Sequence, residues 1–205
     1  MLVLDMDDTL LTDDHKISDE NKEMLFKAQE LGVYVVLASG RPTSAMTAFA
    51  KELQLDINNS YMLSFNGAVI TDLKKDIVIF EQSLTQQQIH ELYDYSVKSK
   101  THIITYLNDE ILSETDSEYI EIEKLITGLV HNKVSDFKEA VTSSAIKCIL
   151  LEEPSYLLQV EKDLKESMPH LSISMSKPFS LEVAQKGIDK AASVKSLAAK
   201  LDIRH

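Results

Sequence analysis

Short apolar runs alternate with segments of helical periodicity along the first 65 residues. Leu2–Leu4 predict a buried strand, and the runs at 33–38 (VYVVLA) and 61–65 (YMLSF) predict two more. Between these runs, one predicted helix follows Ser18 and another extends to about Leu53. Because strands alternate with helices, we predict an α/β fold whose core is a doubly wound parallel sheet.

The pattern changes after residue 67. Residues 68–82 predict two antiparallel strands around a polar turn. The next elements are predicted as a helix at 85–99, a strand at 102–107, a helix at 115–127, a strand at 146–152, a helix at 154–167 and a strand at 171–176. A last helical pattern begins at Lys190. We therefore expect an inserted α+β domain at 83–184, between core segments at 1–82 and 185–205.

Composition and charge narrow the class of protein. The chain has 205 residues, 44% of them hydrophobic, with a net charge of −12, which disfavours nucleic acid and anionic membranes as partners. Cys148 is the only cysteine, which suits a reducing compartment. The start, MLVLDMDD, lacks the features of a signal peptide, and no apolar run is long enough to span a membrane. We expect a cytoplasmic protein.

Polar clusters follow each of the three predicted parallel strands: DMDDT, SGR and NGA. Ligands of such sheets bind beyond the carboxyl ends of the strands. Asp5 and Asp7 could project together if the extended chain continues, and an all-oxygen ligand set favours Mg²⁺ over Zn²⁺. A metal-bound aspartate can attack phosphorus, while a second aspartate exchanges protons with the leaving group. Each cluster taken alone is also ordinary turn chemistry, and the order of all three favours a site.

These clusters resemble the motifs of the haloacid dehalogenase (HAD) superfamily of phosphatases. Asp5, Asp7 and Thr9 match its first motif, D-x-D-x-T, and Ser39 matches its second. The segment SLEVAQKGIDKAASVKSLA resembles the third motif of the Cof-type subfamily, with Lys190 as the matching lysine. Lys186 is expected to lie in the loop before that helix. The resemblance covers essentially the whole chain.

The resemblance implies a Rossmann-like core with a class IIB cap, Mg²⁺ dependence and small phosphorylated substrates, often sugar phosphates. Asp5 would be the nucleophile that forms an aspartyl-phosphate, and Asp7 would serve as general acid and base. The other implied roles are phosphate binding by Ser39, Gly40 and Lys190, support of the first motif by Thr9, possible substrate contacts by Arg41 and Asn66, and metal binding by Asp5 and by the carbonyl oxygen of Asp7.

One departure from the family concerns its fourth motif, an acidic segment that supplies further metal ligands. The chain ends at AAKLDIRH, and Asp202 is its last acidic residue. We therefore expect an incomplete core, a C-terminally truncated chain and a metal site that lacks one acidic ligand.

Three other functions remain open at this point. A phosphomutase of the same superfamily would use the same motifs. A phosphorylatable receiver domain would place its acceptor after the third strand, where this chain has Asn66, and would have no inserted domain. An inactive binding protein would fit the missing fourth motif. In the inserted domain, His102, Tyr106, Asn108 and Glu114 could line a substrate pocket or lie on a solvated sheet face.

Overall fold

The computed structural model describes residues 1–203 of the chain. The strands are β1 (Leu2–Leu4), β2 (Val35–Ala38), β3 (Tyr61–Ser64), β4 (Val69–Asp72), β5 (Ile77–Glu81), β6 (His102–Leu107), β7 (Glu110–Ser113), β8 (Val130–Lys133), β9 (Lys147–Leu151), β10 (Leu171–Lys177) and β11 (Ser180–Gln185). The helices are α1 (Asp19–Glu30), α2 (Ser44–Glu52), α3 (Gln86–Ser99), α4 (Glu118–Thr127), α5 (Phe137–Ala140), α6 (Pro154–Ser167) and α7 (Lys190–Lys200). Within residues 1–203, no helix is long and apolar enough to cross a bilayer.

Contacts within the chain define two compact units. Residues Met1–Glu81 and the chain from Ile188 onward form the core unit. Residues Gln82–Gly187 form the inserted unit, which carries β6 to β11 and α3 to α6. The chain therefore leaves the core unit once, after β5, and returns to it just before α7.

The core unit contains a five-stranded sheet in the order β1-β2-β3-β4-β5. Strands β1, β2 and β3 are parallel, whereas β4 and β5 pair antiparallel. Alternate residues of β2 pack on opposite faces: Leu37 shares a buried cluster with Leu25 of α1 and Met46 of α2, and Val36 shares one with Leu197 of α7. The predicted parallel α/β core, with its central strand covered on both faces, is confirmed.

The inserted unit contains a six-stranded sheet in the order β10-β11-β9-β6-β7-β8, antiparallel except between β7 and β8. Leu92 of α3 and Leu164 of α6 pack with Leu150 of β9 in one buried cluster. Sequence patterns missed β7, β8, β11 and α5. The polar sequence of β8, VHNK, lacks the apolar alternation of a half-buried strand, and α5 spans only four residues.

A second cluster in the inserted unit is polar and buried; we call Tyr106, Glu123, Lys147 and Glu182 the buried polar cluster. The Tyr106 hydroxyl donates to the Glu123 carboxylate, and Lys147 Nζ lies 2.7 Å from Glu182 Oε1. The same ammonium lies 5.7 Å from the centre of the Tyr106 ring. These contacts join β6, β9 and β11 to α4 through paired polar groups.

Candidate active site

The first functional side chain, Asp5, directly follows β1. Its Oδ1 atom accepts hydrogen bonds from the Met6 amide at 2.9 Å and from Lys190 Nζ at 2.8 Å. Asp5 and Lys190 are separated by nearly the whole chain. The fold brings them together because α7 packs on the core sheet, and Asp5 directly follows strand β1 of that sheet. The structure thus pairs the first and third predicted motifs.

The chain folds back sharply after Asp5 through a turn at Met6–Leu10, in which the backbone of Asp7 stays extended. The Leu11 amide donates to the Met6 carbonyl at 2.9 Å, and Asp8 adopts a left-handed conformation with φ +57°. Met6 and Leu10 are buried and anchor the turn. The side chains of Asp5 and Asp7 remain 45% and 44% exposed, so both carboxylates are accessible to a dissolved substrate.

The second acidic residue, Asp7, is held by Arg41 from the loop after β2. Arg41 Nε donates to Asp7 Oδ2 at 3.0 Å, and Nη2 donates to Oδ1 at 2.6 Å. The guanidinium carbon lies 5.9 Å from the centre of the Phe49 ring, and Nη2 lies 3.5 Å from His15 Nδ1. Two-point contacts of this kind fix the plane of a carboxylate as well as its position.

The loops after β2 and β3 are joined by backbone hydrogen bonds. The Asn66 amide donates to the Ser39 carbonyl at 2.9 Å, and the Phe65 amide donates to the Arg41 carbonyl at 2.9 Å. The Ser39 hydroxyl, which is buried, accepts the Arg41 amide at 3.2 Å. A Cβ atom at Gly40 would lie 3.2 Å from Asn66 Oδ1. The second strand-end cluster is therefore packed directly against the third.

Gly67 fixes the start of α7, a role that the sequence patterns did not predict. Its φ is +90°, and a Cβ atom there would collide with the Ser193 side chain. The Ser193 hydroxyl donates to the Gly67 carbonyl at 2.9 Å, and Asp189 caps the helix by accepting the Ala192 amide at 2.7 Å. The close approach of helix and loop fixes the start of α7, where Lys190 is the first residue.

The other residues predicted from the sequence are Thr9, Arg41, Asn66 and Lys186. Thr9 is exposed, and its hydroxyl makes no hydrogen bond with the part of the chain that the structure describes, so its supporting role stays a prediction. The same holds for substrate contacts by Arg41 and Asn66. Lys186 lies in the loop before α7 and donates to the Pro169 carbonyl at 2.9 Å, inside the inserted unit. His15 contacts the site and was not predicted, because a histidine in a polar loop carries no distinguishing pattern.

Three of the four residues considered for a pocket in the inserted unit make contacts within that unit. His102 Nδ1 lies 2.7 Å from the Thr115 hydroxyl. Glu114 accepts the Tyr93 hydroxyl at 2.6 Å, and Tyr106 belongs to the buried polar cluster. Asn108 is exposed in the turn between β6 and β7. These contacts are structural, and none of them identifies a substrate.

The donors available to a metal ion are limited. Among residues 1–203, no group of three or more His, Cys, Asp or Glu side chains is placed to hold a cation. The Asp5 carboxylate and main-chain oxygens of the same turn are the donors at the site. These are hard oxygen ligands, which suit Mg²⁺ with water completing its coordination.

Comparisons with known proteins identify the family of the chain. The haloacid dehalogenase-like hydrolase family model matches residues 2–205, and the chain belongs to that family. The 5-amino-6-(5-phospho-D-ribitylamino)uracil phosphatase YcsE of Bacillus subtilis (strain 168) is 29% identical over 202 residues, covering 98% of this chain and 71% of YcsE. A haloacid dehalogenase-like hydrolase from Bacteroides thetaiotaomicron is 30% identical, with a TM-score of 0.92, over 98% of this chain and 77% of that one.

A second similar structure is a sugar phosphatase of HAD subclass IIB. It has a TM-score of 0.79 and 21% identity, over 99% of this chain and 76% of that one, and this likeness concerns the fold. The prediction of a Cof-type HAD phosphatase is confirmed. The protein is a phosphoric monoester hydrolase, and phosphatases of this kind act on small phosphorylated substrates.

Proposed function

We propose that the protein hydrolyses small phosphorylated metabolites through an aspartyl-phosphate on Asp5, with Mg²⁺ as cofactor. The observation that carries the proposal is the 2.8 Å pair between Asp5 Oδ1 and Lys190 Nζ at an exposed strand end. Both contacts of the Asp5 carboxylate fall on Oδ1. Its second oxygen, Oδ2, accepts no hydrogen bond from residues 1–203, which leaves that atom for attack on phosphorus.

The reaction proceeds in two displacements. Asp5 Oδ2 attacks phosphorus, the bond from phosphorus to the leaving oxygen breaks, and Asp7 gives that oxygen its proton. Asp7 then takes a proton from water, whose oxygen attacks phosphorus as the bond to Asp5 breaks. Inorganic phosphate leaves, and both aspartates return to their starting states.

The negative charge of the phosphoryl group needs compensation in an acidic protein. The Lys190 ammonium lies beside the nucleophile, and the Ser39 hydroxyl can donate to a phosphoryl oxygen because its contact with the Arg41 amide uses it only as an acceptor. Gly40 lies in the same loop, where a side chain would meet Asn66. We assign phosphate binding to Ser39, Gly40 and Lys190.

Mg²⁺ fits the oxygen donors of the turn after β1. We propose that the Asp5 carboxylate and the Asp7 carbonyl oxygen hold the ion, since the Asp7 carboxylate is engaged by Arg41. A bound Mg²⁺ would neutralise charge on the phosphoryl group and lower the repulsion between substrate and nucleophile.

A sugar phosphate or polyol phosphate is the proposed substrate class. YcsE is named for a substrate that carries a phosphorylated ribityl chain, and the subclass IIB structure is that of a sugar phosphatase. We further propose that residues 83–184 act as the class IIB cap and that the protein works in the cytoplasm, as its single buried cysteine and acidic charge favour.

The test is a steady-state assay with p-nitrophenyl phosphate and a panel of sugar phosphates, each with and without Mg²⁺. We expect release of inorganic phosphate that requires Mg²⁺ and that Asp5→Asn abolishes while leaving the circular dichroism spectrum unchanged. An active Asp5→Asn variant would refute the covalent route. Isomerised product without free phosphate would indicate a phosphomutase instead.

A further inference from the structure

The side chain of Arg41 places two of its nitrogen atoms on the two carboxylate oxygens of Asp7. We propose that Arg41 is a positioning residue, which orients the Asp7 carboxylate for proton transfer to the leaving oxygen. This inference rests on the proposed function of Asp7 as general acid and base. It gives Arg41 a role through Asp7 that differs from a direct contact with substrate.

The geometry of the pair favours orientation over simple charge neutralisation. The terminal torsion of an aspartate is broad, so an unrestrained carboxylate samples many planes. The contacts at 3.0 Å and 2.6 Å form a fork that selects one plane, which a lysine ammonium cannot do. Arg41 is 8% exposed and Asp7 is 44% exposed, so a fixed buried group orients an accessible one.

Arg41 is itself held from several sides. Its amide donates to the Ser39 hydroxyl and its carbonyl accepts the Phe65 amide, which ties its backbone to β2 and β3. The Phe49 ring of α2 packs near the guanidinium. Asp7, in contrast, belongs to a turn with a left-handed residue at Asp8. Arg41 is therefore held in place by its neighbours, and through its contact with Asp7 it restrains the turn that carries the catalytic groups.

The two contacts differ in length, which distinguishes the two carboxylate oxygens. Oδ1 receives the shorter bond from Nη2, and Oδ2 receives the longer bond from Nε. The carboxylate held in this plane gives a proton to the leaving oxygen in the first displacement and takes one from water in the second.

The test compares two aryl phosphates of similar shape, phenyl phosphate and p-nitrophenyl phosphate. Phenolate needs a proton as it leaves, whereas p-nitrophenolate leaves readily without one. The ratio of their kcat/KM values therefore reports proton donation during formation of the aspartyl-phosphate. A variant that only loosens the structure lowers both values alike and leaves the ratio unchanged.

We expect Asp7→Asn to raise the preference for p-nitrophenyl phosphate by about a hundredfold, the lower end of what general acid catalysis contributes. Arg41→Ala and Arg41→Lys should both raise it in the same direction by about tenfold, because a lysine ammonium keeps the charge but cannot form the two-point contact. Added guanidinium ion should partly restore hydrolysis of phenyl phosphate by Arg41→Ala. Lys75→Ala removes an ammonium from a different aspartate, Asp72, and should leave the ratio unchanged.

The outcomes separate the two proposals. If Asp7→Asn changes the ratio and neither Arg41 variant does, the positioning role is refuted and the proposed function stands. If Asp7→Asn leaves the ratio unchanged, Asp7 is not the general acid, and both proposals fail together. Should Arg41→Ala not fold, as judged by circular dichroism, Arg41→Gln and Arg41→Lys give the same comparison with more of the side-chain volume retained.

Discussion

The core unit exposes the side chains of its proposed catalytic residues, whereas the inserted unit buries and pairs the side chains of its polar cluster. In the core unit, Asp5, Asp7 and Lys190 keep between 36% and 45% of their side-chain surface exposed. In the inserted unit, Lys147 is 5% exposed and Tyr106 is 8% exposed, and both have partners. Burial, aided by Glu123, raises the pKa of Tyr106 well above its ordinary value. Clustered polar groups indicate chemistry when solvent can reach them, and structure when they are buried and paired.

The difference also follows from position in the sheet. The accessible Asp5 and Asp7 follow the parallel strand β1, in a turn where the left-handed residue Asp8 folds the chain back. The buried polar cluster lies within β6, β9 and β11 and on α4, where the backbone is regular.

The largest effect is expected at Asp5. Asp5→Asn should lower kcat at least about a thousandfold, because it removes the nucleophile rather than a binding contact. Asp13→Asn, an exposed carboxylate in the loop that follows the same turn, is the matched control and should retain activity. Equal losses in both variants would mean that local charge, and not nucleophilic attack, explains the effect. Stopped-assay measurement of phosphate release decides this.

The second-largest effect is expected on the stability of the protein, from a change in the inserted unit. Lys147→Met leaves the Glu182 carboxylate, 16% exposed, without its ammonium partner, and should lower the free energy of unfolding by about 3 kcal/mol. The double variant Lys147→Met with Glu182→Met should recover most of that loss, because the two opposite charges of the pair are removed together. Urea unfolding measures both values. A stable Lys147→Met single variant would show that this ion pair is not a structural element.

Gly67→Ala tests the contact between the third loop and α7. The new methyl group would collide with Ser193, and alanine would be strained at the left-handed φ of this position. We therefore expect the free energy of unfolding to fall by about 2 kcal/mol. We also expect a lower kcat, because Lys190 at the start of α7 would move. Gly32→Ala is the matched control: its φ is +79°, and nothing lies within 4 Å of its Cβ position. The free energy of unfolding of this variant should fall by about 1 kcal/mol, and its activity should be unchanged. Equal kcat losses in the two variants would contradict the proposed support of Lys190.

The smallest expected effect is a loss of stability at alkaline pH. Burial raises the pKa of Cys148 to about 12, and the hydrogen bond to Glu114 raises that of Tyr93 to about 12, from ordinary values of 9.0 and 10.0. Below the ordinary values both groups are neutral in the folded and unfolded chain, and their contribution to stability is complete. As pH rises from there towards about 12, only the unfolded chain ionises, so stability falls.

Two measurements check this expectation. Urea midpoints should fall from about pH 8 to about pH 11, and less so in Tyr93→Phe. Iodoacetamide should alkylate Cys148 only after unfolding, because the buried thiol is neither ionised nor accessible. Rapid alkylation of the folded protein, or equal pH profiles for the two proteins, would contradict the assigned causes.

Sequence patterns were most informative at the boundaries of strands and helices, where an apolar pattern starts or stops. The apolar run of β2 ends at Ser39 as predicted, and the helical pattern from Lys190 matches the start of α7, which leaves Lys186 in the loop before it. Local patterns did not reveal the Arg41–Asp7 pair, since the two residues are 34 positions apart and belong to different loops. They could not reveal such tertiary contacts because these depend on how separate elements pack.

The most direct test of the central claim is to trap the aspartyl-phosphate. Enzyme turning over p-nitrophenyl phosphate with Mg²⁺ is quenched in acid, and sodium borohydride then reduces any acyl phosphate to an alcohol. Peptide mass spectrometry should find homoserine at position 5, absent without substrate. Homoserine at position 7, or no reduced residue at all in an actively turning over sample, would contradict the assignment of Asp5 as nucleophile.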